Sequence, residues 1–193
     1  MSDPVTYTFH GTTIPVLRNQ TQTAINTLRA AKDEQSKDSN LPSDAEILDS
    51  KLNADMLPFR MQPILLLKFP LSGISYLELS KVEVPQLRPD FQTLDDVIAL
   101  LESVVKVYDS IDPEAYNAAA EKSVDVPMEN RGITLHMTGF ADYYHGFVIP
   151  NSWFHLSAMY MLLRSKGFKL GKGHWVGSFM SETQQKDWAP IRG

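Results

Sequence analysis

The chain has 193 residues, 43% of them hydrophobic and 21% charged, enough material for one domain with a sizeable core. Its net charge is −5, its pI is near 5.5, and no run of Lys or Arg overrides that balance, so the basic face that nucleic acid requires is missing. It has no cysteine, which removes disulfides, thiolate nucleophiles and Cys-ligated zinc, and fits a cytoplasmic protein.

The opening "MSDPVTYTFH" has neither a basic nor an apolar stretch and reads as no signal peptide. Ile14, Leu17, Ala24, Ile25 and Leu28 then recur at helical spacing, predicting a first helix over 13–31 with Pro15 in its first turn. The polar "KDEQSKDSNLPSD" follows as an exposed connection. Ser43 with Glu46 three residues on is a capping-box pattern for a short helix over 44–52.

A second long helix is expected from Pro58 to Ser80, kinked at Pro63 and Pro70. Its apolar run "ILLLKFPLSGISYL" is interrupted by Lys68, Pro70 and Gly73 and is too short to span a bilayer, so no membrane partner is expected. The third helix shows one stripe of Leu94, Val97, Ile98, Leu101, Val104, Val105 and Tyr108, capped by Thr93 or Asp90 and ended by "IDP". "SVDVP" and "ITLHM" alternate around "MENRG" and predict a small β-hairpin carrying His136. The fourth helix is expected over 139–165, closed by Gly167, and the tail from "FKLGKGHWVGSF" onward has no period.

Four long helices and one hairpin predict an all-α four-helix bundle, with a single domain over 1–177 and a C-terminal extension over 178–193. On the fourth helix, Tyr144, Val148, Asn151, His155, Met159 and Leu162 share a stripe that is apolar except for Tyr, Asn and His. Pro150 withholds the donor that the Gly146 carbonyl would use. Two readings of the stripe stand side by side: a satisfied polar pair shaping a kink, or an axial pocket lined by inward side chains. His145 lies about 80° around the helix from His155, a poor spacing for two ligands of one metal.

On the second helix, Asp55, Phe59, Gln62, Leu66 and Phe69 are spaced to share a face. Asp55 reads as a helix-start acceptor. The Gln62 amide needs a partner, with Asn151 or a ligand as candidates for its donors. His10, His174, Trp153 and Trp175 read as packing or surface residues, and Met159–Met161 as core filling. No glycine-rich phosphate loop, HExxH, GxSxG or Glu-x-x-His pair is present.

The order of "DMLPFRMQ", "VEVP", "VDVP", "YYHGFVIPNSWFH" and "LLRSKGFKLGK" resembles a domain-of-unknown-function branch, bacterial and fungal, of the DinB/YfiT-like superfamily of metal-dependent four-helix bundles, over about residues 7–177. The resemblance implies an up-down-down-up bundle and a homodimer. It also implies a divalent metal on three histidines, one from the second helix and two from the fourth, and thiol-dependent transferase or isomerase activity. His155 matches one such position. The second helix offers no histidine, and Ser165-Lys166 stand where relatives carry another.

The functional expectation is therefore a small-molecule pocket for an apolar ligand. His155, His145 and Tyr144 are its acid–base candidates, and Asn151, Gln62, Asp55, Phe59 and Met159 line it. No cofactor is expected. His145 and His155 are the candidates should zinc or nickel bind. The alternatives are a metal-dependent thiol transferase or hydrolase, and a non-catalytic dimeric binding or structural protein.

Overall fold

The computed structural model describes residues 7–128 and 132–189. Its helices are α1 (Phe9–Lys37), α2 (Asp44–Leu48), α3 (Met61–Tyr76), α4 (Leu94–Asp109), α5 (Pro113–Ala118), α6 (Phe140–Tyr143), α7 (Ile149–Ser165), α8 (Lys172–Val176) and α9 (Glu182–Asp187). A π-helical turn, Tyr144–Val148, joins α6 to α7, and a 3-10 turn spans Gly177–Phe179. Strands β1 (Val124–Met128) and β2 (Ile133–Met137) form an antiparallel hairpin.

Cross-links between helices fix their directions. Arg18 pairs with Asp109, Arg29 with Glu102 and Lys32 with Asp95, so α1 and α4 run antiparallel. Gln62 meets His155, the Leu65 carbonyl meets Asn151 and the Pro70 carbonyl meets Tyr144, so α3 and α7 are also antiparallel. Thr12 reaches His145 at one end of α1, and Glu34 accepts from the Lys169 N–H at the other, so α1 and α7 are parallel. The order is up, down, down, up.

Local chemistry sets each boundary. Thr8 caps α1 by accepting from the Gly11 N–H, and Phe9 is held in an aromatic cluster, stacked on Tyr116 with ring centroids 4.5 Å apart and edge-on to Phe140 and Tyr144. The helix therefore starts four residues before the expected Thr13, and Pro15 lies inside it rather than in its first turn. Ser43 and Glu46 form the expected capping box, but α2 stops at Leu48, because Phe59 and Arg60 donate to the Ser50 and Leu48 carbonyls and pull the chain away. Thr93, not Asp90, caps α4. The α4 stripe buries Val107 in place of the expected Val105, which is only half-buried.

α3 is shorter than expected, because it begins at Met61 and Leu77 closes it after Tyr76. Pro63 then falls in the first turn, and the Gln62 N–H supplies the Phe59 carbonyl that Pro63 cannot, at 2.8 Å. The hairpin buries Val124 and Val126, and places His136 opposite Asp125, 2.7 Å away on the exposed face. Gly167, at φ +98°, ends the fourth helix as expected.

The tail carries more structure than its sequence pattern suggests. Trp175 and Phe179 lie over Trp153 of α7, and Ser178 Oγ accepts from Asn26 of α1, so this segment covers the α1–α7 groove. Among the described residues, no helix is long and apolar enough to cross a membrane.

Candidate functional site

The seam between α3 and α7 is joined by side chains that donate to α3 backbone carbonyls, one of which proline leaves unserved. Pro70 has no N–H, so the Leu66 carbonyl loses its regular intrahelical donor. Ser152, fully buried on α7, donates its hydroxyl to that carbonyl at 3.1 Å. The Tyr144 hydroxyl donates to the Pro70 carbonyl at 2.6 Å, and Asn151 Nδ2 to the Leu65 carbonyl at 3.2 Å. On the other side of the seam, Pro150 cannot donate, and the ladder slips by one residue just ahead of it: the Ile149 N–H reaches Tyr144 rather than His145. The expected irregularity at Pro150 is thus a π turn.

His155 sits at the same seam, 9% exposed, with Nδ1 2.9 Å from Gln62 Oε1. The Gln62 Nε2 lies 3.0 Å from the Leu57 carbonyl and 3.4 Å from the Pro58 carbonyl, and carbonyls only accept. That fixes the amide with its oxygen toward the ring, so Nδ1 carries the proton and Nε2 presents a lone pair. Burial lowers the His155 pKa to about 4, so the ring is neutral at physiological pH. The sealed polar atoms without a partner among the described residues are Gln20 Nε2 and Oε1, Thr27 Oγ1 and the Tyr143 hydroxyl. His155 Nε2 is not one of them. The Phe154 ring stands edge-on to the imidazole at 5.2 Å and is 61% exposed, and Leu57 is also exposed.

The remaining predicted residues divide. Gln62 and His155 meet directly, whereas the Gln62 donors go to backbone carbonyls and Asn151 goes to Leu65, so neither meets the other as expected. Phe59 and Met159 are buried in the core. Tyr144 is sealed, and desolvation holds its pKa well above that of an ordinary phenol, so it stays protonated as a hydrogen-bond donor. His145 is exposed on the α1 side, 3.4 Å from Thr12 Oγ1 and edge-on to Phe9. Asp55 is exposed and lies outside α3, whose start it does not cap. The half-buried His10 packs edge-on against Tyr116, and burial lowers its pKa.

These residues do not fit the three-histidine metal centre that the resemblance implies. His155 faces an amide from α3, His145 points to a different helix, and among the described residues no three His, Cys, Asp or Glu side chains are grouped to hold an ion. A hollow of about 160 Å³ opens between α7 and α8, walled by Ser157, Tyr160, Met161, Lys172 and Trp175. A second, shallow groove between α1 and α4 is edged by the ion-paired Arg29, Lys32, Asp95 and Glu102. Neither is lined by a predicted site residue. Sequence reasoning also passed over Ser152, although Pro70 four residues after Leu66 announces a carbonyl in need of a donor.

A family model described as a domain of unknown function, DUF1993, matches residues 9–176. The fold is similar to a crystal structure described as a DinB family member protein from Shewanella denitrificans, with a TM-score of 0.69 and 19% identity over 87% of this chain and 91% of that one. No curated protein matches the chain.

Proposed function

We propose that this chain, which belongs to the DUF1993 family of domains of unknown function, receives a small, largely apolar molecule at the α3–α7 seam and holds it through His155, without a protein-bound metal. The observation that carries this reading is the Gln62 amide, whose orientation commits His155 Nδ1 as a donor and leaves Nε2 as a lone-pair acceptor. Phe154 supplies exposed apolar surface beside the imidazole, and Leu57, whose carbonyl holds the Gln62 amide, is also exposed. A hydroxyl or amide N–H of the guest donates to Nε2.

The low pKa of His155 decides which chemistry suits it. A base works best when its pKa is near the working pH, and a ring held near 4 is permanently available but weakly basic. It therefore orients a donor well and removes only an acidic proton. Tyr144 and His145 take no part in that step, since one is sealed against Pro70 and the other lies beside Thr12.

Access to Nε2 is testable with diethyl pyrocarbonate, which acylates neutral imidazole. In the native protein His155 is modified at a rate that stays flat between about pH 5 and about pH 8, because its ring stays neutral across that range. A native protein labelled at the other histidines but never at His155 overturns the reading.

One observation favours a second reading, a dimeric binding protein. Phe147, Phe154 and Met161 recur every seven residues along the outer face of the fourth helix and are 37%, 61% and 53% exposed. No Asp, Glu, Lys or Arg occurs from Tyr144 to Leu163, and Lys68 is the one such residue in α3. Two copies of so neutral a face can meet without burying like charges. Light scattering then reports a dimer that Phe154→Asp converts to monomer; a wild-type chain that stays monomeric at its highest soluble concentration rejects this reading.

A further inference from the structure

Gln20 stands in the middle of α1, 0% exposed, on the stripe that buries Thr13, Leu17 and Ala24. Its height in the bundle is set by Arg18 paired with Asp109 and by Thr21 beside Tyr108, both toward the end of α4. Both ends of its amide lack a partner among the described residues. Exchanging the oxygen and nitrogen positions does not help, because each end is orphaned. The neighbouring buried hydroxyls behave otherwise: Thr13 donates to the Phe9 carbonyl at 2.6 Å and Thr21 to the Leu17 carbonyl at 3.0 Å. Thr13 and Thr21, which flank it on this helix, are thus satisfied by backbone carbonyls, and Gln20 is not.

A buried amide left unpaired is strongly disfavoured, and native proteins pair nearly all such groups with protein or with ordered water. We propose that Gln20 is the centre of an internal binding site for a small, neutral guest bearing hydroxyl chemistry, a donor to its Oε1 and an acceptor for its Nε2. Solvent water meets that description, as does the hydroxyl of a small organic molecule taken up from the cell. A charged guest does not, since the stripe offers no counter-charge. The site needs room for only one or two waters, each filling about 30 Å³. Thr27, whose hydroxyl is also unpaired, lies about 10 Å farther along the helix axis and belongs to a separate contact. The inference is independent of the role given to His155, which faces α3.

High-resolution crystal structures of the full chain and of Gln20→Met test it. The wild type should show density for a guest within about 3 Å of both amide atoms, and the variant, which keeps the side-chain length but has no polar end, should lose it. Should Gln20→Met fail to fold, cross-relaxation from the Gln20 side-chain amide protons in the wild type gives the same answer by NMR. A signal at the water frequency identifies solvent; carbon-bound protons, with extra mass in native mass spectrometry, identify an organic hydroxyl. The proposal is overturned if the Gln20 amide turns onto protein groups with no guest, or if the guest persists unchanged in Gln20→Met.

Discussion

The hydroxyl of Ser152 has one evident task, and removing it isolates that task. In Ser152→Ala the Leu66 carbonyl is left without its donor at 3.1 Å, in a position where Ser152 is fully buried and Pro70 offers no N–H. An unsatisfied buried carbonyl costs about 1–3 kcal/mol, which in a domain of this size lowers Tm by about 2–4 °C for each kcal/mol. Pro70→Ala restores an N–H that can serve Leu66 from within α3. The loss caused by Ser152→Ala should therefore shrink in the Pro70→Ala background, with a coupling energy of about 1 kcal/mol or more. Urea denaturation of the four proteins of this cycle, read by circular dichroism, measures it. Equal losses from Ser152→Ala in both backgrounds refute the account of the seam as a repair of the proline gap.

Three further outcomes follow from the same geometry. The folded pKa of His155, about 4, lies below the value of 6.5 for an unburied ring, so as pH falls the unfolded chain takes up the proton first. This residue's contribution is intact above about pH 6.5 and drains away toward about pH 4, a difference on the order of 2 kcal/mol once its partial contact with water is discounted. Urea titrations at about pH 7 and about pH 4.5 should show a flatter pH dependence for His155→Gln; an identical dependence rejects the assignment. A methyl group on Gly73 would meet Phe140 Cε2, Tyr144 Cε2 and the Tyr144 hydroxyl at 2.9 Å each, so Gly73→Ala destabilises by about 1–3 kcal/mol despite alanine's better helix propensity. A Tm equal to or above wild type contradicts that packing. Deleting residues 178–193 removes Phe179 from Trp153 and Ser178 from Asn26, at a cost of about 1–2 kcal/mol; urea denaturation read by circular dichroism measures it, and an unchanged midpoint argues against the contact.

The bundle was legible because its signals are periodic and local. The α4 stripe, the Ser43 and Glu46 capping box and the alternation of β1 and β2 each declare themselves within one short stretch of chain. Helix ends were less so where distant groups decide them: Phe9 extends α1 because Tyr116, Phe140 and Tyr144 wait for its ring, and none of these is near it in sequence. Half of the site could be read. Gln62 and His155 were each marked as polar members of apolar stripes, and they do meet. The partners of Asn151 and Tyr144 could not be read, because both are backbone carbonyls of α3, and a carbonyl has no letter in a sequence. Gln20 was hidden by the same limit from the other side: its place on a stripe is visible, but that its amide finds no protein partner emerges only once every neighbour is placed.

The π turn over Tyr144–Val148 has a consequence for comparing relatives. It lodges one more residue in the helix than an α ladder would hold, and each added residue rotates everything beyond it by about 100°. Excising a single position there, Gly146 for instance, would leave every downstream letter in place yet swing Asn151, Ser152 and His155 away from α3 together. A relative carrying the same motifs on this helix would point them the same way only if it shared the slip.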